Sequence, residues 1–204
     1  MISLQFLVTA IIVCIAPGTG VIYTLALGLG QGRRAAIAAA LGCTFGIVPH
    51  LAAATLGLAA LLHTSAVLFQ IVKFAGVAYL LYLAWQAFKS DGALAIRPDG
   101  QAQPLFKIAR RGALINILNP KLSIFFLALL PPFLSGNPAT ATTEMVMLGG
   151  IFMALTFVIF VLYGTFASLA RDRLLQSEAV MRWLSRSFAG IFAALGLRLA
   201  FEKA

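Results

Sequence analysis

The stretch LINILNPKLSIFF, residues 114–126, places two asparagines, a proline and a lysine within an otherwise apolar run. Asn119 and Pro120 have the pattern of a helix start, because asparagine caps helices and proline suits the first helical position. A helix beginning there would point its free backbone amides and the positive end of its dipole into the membrane, near the Lys121 ammonium group. Asn116 lies one turn earlier, roughly on the same face. Together these residues predict a polar pocket suited to a carboxylate.

A second interruption, APGTG at residues 16–20, lies in the first apolar run. Pro17 removes a backbone donor, Gly18 and Gly20 loosen the backbone, and Thr19 is a candidate cap for a second half-helix. Two such breaks at corresponding places in two halves of a chain are typical of transporters whose site lies between inverted repeats. We therefore predict that Pro17, Gly18 and Thr19 contribute to the same substrate pathway as the asparagines and the lysine.

The composition indicates the solvent around these residues. The chain has 204 residues, of which 61% are hydrophobic and only 10% are charged, and its mean hydropathy is +0.98. Soluble domains are nearer half apolar and one quarter charged, so this chain belongs in lipid.

Six apolar segments follow from the hydropathy pattern, roughly at residues 2–28, 36–62, 66–88, 111–134, 145–169 and 183–202. Each is long enough to cross a hydrocarbon core as a helix, and continuous rather than alternating apolar runs argue against strands. The expected fold is an all-α polytopic membrane protein of about six transmembrane helices. It forms one integral membrane domain, 1–204, of two inverted three-helix repeats, 1–90 and 111–204, joined by a cytoplasmic loop at 91–110.

The depth of Lys121 argues for function rather than packing. If its helix starts near Arg110 and Arg111, Lys121 lies about 15 Å into the bilayer, near the midplane. A lysine there costs at least about 2.5 kcal/mol on insertion scales, and intramembrane ionisable residues mark sites by default. A tolerated proline kink with a paired or snorkelling lysine is the structural alternative.

The net charge of +9 is explained by topology rather than by nucleic acid. Lys and Arg cluster in the first, third and fifth breaks between apolar segments, at Arg33, Arg34, Lys89, Arg97, Lys107, Arg110, Arg111, Arg171, Arg173, Arg182 and Arg186. Cytoplasmic loops carry this excess. The pattern places both termini outside a multi-pass protein of the cytoplasmic membrane.

His50 is the histidine that lies well inside a predicted span, directly after Pro49. A histidine titrates near neutral pH, so we predict His50 as a coupling-proton site, with a hydrogen-bonded neutral histidine as the alternative. Glu144 and Glu202 lie near the ends of their segments. A carboxylate relay across the membrane is therefore not supported.

Other functions find less support in the sequence. His50, His63, Cys14 and Cys43 form no zinc-binding spacing, and no nucleophile motif or paired carboxylate indicates an enzyme, so no cofactor or metal is expected. Cys14 and Cys43 leave open an integral-membrane thiol–disulfide carrier, although free cysteine is common in apolar interiors. A non-transporting membrane assembly protein is a further alternative.

Gly42 and Gly46 form a GxxxG motif on the second segment, with Ala38 one turn earlier. Small residues at this spacing allow helices to approach closely. The motif predicts helix packing, either within one chain or in a homodimer.

The whole chain resembles the LysE/RhtB group of bacterial amino-acid exporters. The resemblance rests on Pro17–Gly18, on His50 and on four longer motifs in order, which are GLGQGRRAAIAAALG (28–42), LGLAALL (56–62), KFAGVAYLLYLAW (73–85) and GALINILNPKLSIFFLALLPPF (112–133). It implies efflux of amino acids or similar small zwitterions, driven by the proton gradient.

Two positions depart from the pattern of that group. Its first helix usually reads Pro-Gly-Pro-Asn, whereas Thr19 and Gly20 follow Pro17–Gly18 here, and Pro132 stands where a glutamine is usual. The first change removes an amide from the expected site, which weakens any inference about the substrate's side chain.

Overall fold

The computed structural model describes residues 2–16, 18–62 and 103–169, with single residues at 74, 78, 81 and 85. All regular structure in this part of the chain is helical. Its helices are α1 (Leu4–Ile15), α2 (Thr19–Gln31), α3 (Arg33–Phe45), α4 (Val48–Leu62), α5 (Leu105–Ile117), α6 (Pro120–Ile124) and α7 (Pro138–Leu169). A π-helical turn, Phe125–Leu129, and a 3-10 turn, Pro131–Phe133, follow α6.

Two helical stretches in the described residues, Arg33–Gly57 and Pro138–Leu169, are each long and apolar enough to cross a membrane. Two bent pairs raise the number of candidate spans to four, namely α1 with α2 and α5 with Lys121–Phe133. These four coincide with the segments predicted at 2–28, 36–62, 111–134 and 145–169. The segments predicted at 66–88 and 183–202 lie outside the described ranges, apart from the four single residues.

The loop predicted for 91–110 ends earlier than expected, because α5 begins at Leu105. The first turns of α5 are amphipathic. Ile108 is fully buried whereas Lys107 and Arg110 are exposed, so a helix can form here even though the segment is too polar to read as a membrane span.

The close approach of α3 to α5 depends on small side chains. A Cβ at Gly42 would overlap the carbonyl oxygen of Ala109, and one at Gly46 would lie 2.5 Å from the carbonyl oxygen of Ala113. The GxxxG motif therefore packs two helices of the same chain, and it no longer argues for a homodimer.

The long helix α7 packs against α2, α3, α4 and α1 with one stripe of its surface. The buried residues of this stripe recur every three or four positions, at Ala141, Met145, Leu148, Gly149, Phe152, Thr156, Phe160, Gly164 and Ala167. The opposite face exposes large apolar side chains such as Val158, Leu162 and Phe166. Apolar side chains that point outward from a helix are expected where the surroundings are lipid.

Candidate functional site

Helix α1 ends where the sequence removes a hydrogen-bond donor. Within a helix the carbonyl of Val13 would accept from the N–H of residue 17, but that residue is a proline and has none. The Lys121 ammonium group fills this position instead. Its Nζ donates to the Val13 carbonyl oxygen at 2.8 Å and to the Ala16 carbonyl oxygen at 2.9 Å. The C-terminal end of a helix carries partial negative charge, so a cation is stabilised there.

The second break, between α5 and α6, repeats this chemistry. Pro120 has no N–H for the carbonyl of Asn116, so that carbonyl accepts from the Asn119 N–H at 3.1 Å and from His50 Nε2 at 2.8 Å. A carbonyl oxygen only accepts, and Nε2 must therefore carry the hydrogen. At both breaks a side chain from a distant part of the chain serves a carbonyl that a proline leaves without its usual partner.

Ser123 completes the surroundings of His50. Its hydroxyl lies 3.0 Å from His50 Nδ1, so both ring nitrogens are hydrogen-bonded. A serine hydroxyl can either donate a hydrogen bond or accept one. Sequence reasoning missed Ser123, because a serine in a membrane helix is common and carries no signal of its own.

Asn119 caps α6 as predicted, with Pro120 at the first helical position. The Asn119 Oδ1 accepts from the Lys121 backbone N–H at 3.1 Å, and its Nδ2 lies 3.4 Å from Asn116 Oδ1. Asn116 Nδ2 donates to the Cys43 carbonyl at 2.8 Å. The two amides are thus buried and join α3, α5 and α6.

The prediction that Thr19 caps α2 is wrong. Gly18, in an extended conformation, is the N-cap residue and supplies no side-chain hydrogen bond. Thr19 is the first helical residue and is exposed. Because α2 begins one residue earlier than expected, the Thr19 hydroxyl does not occupy the capping position.

A small cavity of about 20 Å³, open on one side, lies between the two breaks. Its walls come from α1, α2, α5, α6 and α7, and the lining residues are Val13, Cys14, Gly18, Gly20, Val21, Asn116, Asn119, Lys121, Leu122, Phe152, Thr156 and Phe160. Lys121 is the charged member of this lining, so the pocket wall is positive.

Four of the predicted site residues line this pocket, namely Gly18, Asn116, Asn119 and Lys121. His50 does not line it, but it contacts the pocket through the carbonyl of Asn116. Pro120 contributes the helix start, Thr19 is outside the lining, and Pro17 is not among the described residues.

The contribution of α7 was not predicted. Phe152, Thr156 and Phe160 form one wall of the pocket, and the Thr156 hydroxyl donates to the Phe152 carbonyl at 2.8 Å. A signal was present, since these residues recur every four positions along the buried stripe of α7. It could not be distinguished from ordinary core packing without the tertiary structure.

Gly20 is the position where the resemblance predicted an asparagine. A Cβ at Gly20 would lie 2.7 Å from Asn116 Oδ1 and 3.0 Å from a ring carbon of Phe160. The space that a side chain at position 20 would need is thus occupied here by Asn116 and Phe160. The side-chain amide of Asn116, from α5, therefore lies beside position 20 of α2, where the related group usually has an asparagine amide.

The two cysteines are buried free thiols on different helices. Cys14 Sγ lies 3.2 Å from Thr156 Oγ1, and Cys43 Sγ lies 3.9 Å from the Gly20 carbonyl oxygen. Each thiol has a hydroxyl or carbonyl neighbour, as expected for structural cysteines.

Comparison with known proteins agrees with the resemblance seen in the sequence. The family model for LysE type translocators matches residues 11–203. A membrane protein of Vibrio cholerae is 30% identical over 98% of this chain and 97% of its own length. A homoserine/homoserine lactone efflux protein of Salmonella typhimurium is 28% identical over 96% of this chain and 94% of its own. A leucine efflux protein of Enterobacter is 28% identical over 96% and 93%. No solved structure matches the chain.

Proposed function

Because the chain belongs to the family of LysE type translocators, we propose that it exports amino acids or related small zwitterions from the cytoplasm. The observation that carries this proposal is the polar pocket between two broken helices, in which the Lys121 ammonium group, two buried asparagine amides and helix-end carbonyls meet. A pocket with both a cation and partly negative carbonyls matches a zwitterion, which carries both charges. Packing alone does not require these polar groups in a membrane protein.

The names of two relatives support this substrate class. One is named for homoserine and its lactone, and another for leucine. These three compounds share a primary ammonium group beside a carbonyl carbon, while their side chains differ. A pocket that recognises this shared part by polar groups, with apolar walls such as Phe152 and Phe160 for the remainder, fits such a range.

In the proposed site Lys121 holds the substrate carboxylate. The Asn119 Nδ2 makes a long hydrogen bond of 3.4 Å to Asn116, so its N–H can turn to a ligand at small cost, and it would help to orient the carboxylate. Pro17 and Thr19 remain predictions for the pathway beside the first break.

The proposed architecture is two inverted three-helix repeats, 1–90 and 111–204, about six transmembrane helices in all, which work by alternating access. The bends at the two breaks support it, since they measure 55° between α1 and α2 and 54° between α5 and Lys121–Phe133. The matching use of a proline-freed carbonyl at each break also supports it. Three spans in each half would make the halves inverted.

The proposed location is the cytoplasmic membrane of a bacterium, with the N-terminus outside. Arg33 and Arg34 are exposed between α2 and α3. The Gln103 N–H donates to Gln31 Oε1 at 2.9 Å, which brings the start of α5 and its exposed basic residues to the same end of the molecule. Clustering of basic residues at one end favours that end as cytoplasmic.

Flux through proteoliposomes tests the function. Wild-type protein should transport labelled leucine or homoserine saturably, and Lys121→Ala should reduce the rate by about tenfold or more, because a charge-assisted hydrogen bond contributes about 1.5–3 kcal/mol. Lys107→Ala is the matched control, since Lys107 is exposed on α5 away from the pocket lining. Normal flux in folded Lys121→Ala protein would contradict the role given to Lys121.

Proton coupling is proposed to use His50. Both ring nitrogens are hydrogen-bonded, and the Asn116 carbonyl links the ring to the pocket. An imposed pH gradient, acid on the side that receives substrate, should stimulate wild-type export, and His50→Gln should lose this stimulation while it retains exchange of substrate across the bilayer. His63→Gln, at the other histidine of the chain, is the control. Full gradient stimulation in His50→Gln would remove His50 from the coupling mechanism.

A further inference from the structure

The Lys121 ammonium group lies in a cation site that the protein builds from its own backbone. The carbonyl oxygens of Val13 and Ala16 accept from Nζ at 2.8 and 2.9 Å. Both carbonyls belong to the C-terminal end of α1, where the helix dipole is negative. Val13 lines the pocket, as does Lys121 itself. The site is therefore adjacent to the space in which a substrate would bind.

The group that fills this site is chemically the same as one end of an amino acid. A lysine side chain ends in a primary alkylammonium with three N–H donors, and the α-amino group of an amino acid has the same charge and donors. In this conformation the protein thus contains, inside its own pocket, a covalently attached copy of the ammonium group.

We infer that the Val13 and Ala16 carbonyls form the subsite for the ammonium group of the substrate, and that Lys121 occupies it until substrate displaces it. The inference rests on the proposed function and adds to it the identity of the amine subsite. When an amino acid binds, its ammonium group takes the two carbonyls and Lys121 turns toward its carboxylate. Because a zwitterion brings one charge of each sign, the net charge of the pocket is the same before and after the exchange.

The surroundings of Lys121 permit this movement. A Cβ at Gly18 would lie in ordinary contact, 3.6 Å from Lys121 Cδ and 3.8 Å from Nζ, so the glycine leaves a space the size of a methyl group beside the lysine stem. That stem has four flexible carbons and ends in a point charge that can exchange partners. The exchange also keeps the carbonyls hydrogen-bonded in both states, which avoids the cost of burying them unpaired.

The competing interpretation is a permanent latch, in which Lys121 ties α6 to the end of α1 and never leaves. The two interpretations differ in what happens when the lysine is removed. If Lys121 is a permanent latch, removing it should only lower the stability of the protein. If Lys121 occupies a substrate subsite, removing it should also make the two carbonyls available to another ammonium ion.

The test is equilibrium binding of n-propylammonium to the full-length protein in detergent, measured by calorimetry for wild type, Lys121→Met and Lys107→Met. n-Propylammonium has the ammonium group but no carboxylate, and sodium propionate is the matched anion. We expect Lys121→Met to bind n-propylammonium about tenfold more tightly than wild type, because it no longer competes with a charge-assisted hydrogen-bonded group. Lys107→Met should match wild type, and propionate should show no gain.

Equal affinity of wild type and Lys121→Met for n-propylammonium, or no measurable binding to either, would overturn the inference. So would an equal gain for propionate, which would indicate only a larger cavity. Should Lys121→Met fail to fold, Lys121→Leu takes its place in the same comparison, since it also removes every N–H donor of the side chain and keeps an apolar group.

Separate measurements can contradict the proposed function and the ammonium subsite. Absence of amino-acid flux in wild-type proteoliposomes contradicts the proposed function whatever the binding experiment gives. Normal flux together with unchanged n-propylammonium binding contradicts the subsite alone.

Discussion

At the scale of single residues, proline chemistry explains the site. Pro17 and Pro120 each lack the N–H that would serve the carbonyl four residues earlier. Lys121 and His50 serve these carbonyls instead, at 2.8 Å in both cases. The prolines thus leave two backbone acceptors inside an apolar protein, and a polar side chain from a distant part of the chain binds each of them.

The two cysteines allow a prediction at this scale. The variant with both Cys14→Ser and Cys43→Ser should retain gradient-driven flux, because each thiol is buried beside a hydroxyl or carbonyl that a serine hydroxyl can also contact. The measurement is proteoliposome flux, with wild-type protein in excess reductant as the matched control. Loss of flux in the folded variant and in reduced wild type would instead support the thiol–disulfide carrier.

At the scale of helices, small residues decide how closely α3 approaches its neighbours. Gly42 and Gly46 face the carbonyls of Ala109 and Ala113, and Gly112 on α5 faces the backbone of Ala39 in return. This approach allows Asn116 on α5 to reach the Cys43 carbonyl on α3 at 2.8 Å. The geometry of the pocket therefore depends on a helix contact that lies several turns away from Lys121.

Gly42→Ala tests this contact. The added methyl group overlaps the Ala109 carbonyl, and overpacking of this kind costs typically about 1–3 kcal/mol. The midpoint of thermal unfolding in detergent should therefore fall. Gly57→Ala is the matched control on the same predicted span, because a Cβ at Gly57 meets nothing within 4 Å. Equal midpoints for the two variants would show that the α3–α5 contact is looser than described here.

At the scale of the whole molecule, charge and polarity separate the two ends. Arg33, Arg34 and the basic residues of α5 lie at one end. There the hydrogen bond between Gln31 and Gln103 joins the end of α2 to the segment before α5. At the other end, near the start of α7, Glu144 accepts from the Ser135 N–H at 2.7 Å and from the Thr140 hydroxyl at 2.6 Å. The proposed topology places this acidic end outside the cell.

Cysteine labelling tests that topology. In a Cys14→Ser, Cys43→Ser background, Ala139→Cys should react with a membrane-impermeant maleimide in intact cells, whereas Arg34→Cys should react only after permeabilisation. Both positions are exposed, so accessibility alone does not distinguish them. The opposite labelling pattern would reverse the orientation and place the N-terminus inside.

Several features of this protein follow from the sequence by itself. The apolar composition predicts lipid as the solvent, and four predicted segments coincide with described helices or bent helix pairs. The break at Asn119–Pro120 was predictable because capping and the missing proline donor are local effects that act within a few residues. The family was also recognisable, because its motifs keep their order along the chain.

The tertiary structure decided which groups meet. Lys121 contacts Val13 across 108 positions of sequence, and His50 contacts Asn116 across 66. Such pairings depend on how helices pack against one another, and side-chain type alone does not encode their partners. For the same reason the sequence predicted a lysine that faces substrate, whereas the folded protein places its ammonium group on the end of α1. The prolines leave the carbonyls of Val13 and Asn116 without the helical donor four residues on, and only the packing of α4, α6 and α7 determines what surrounds them.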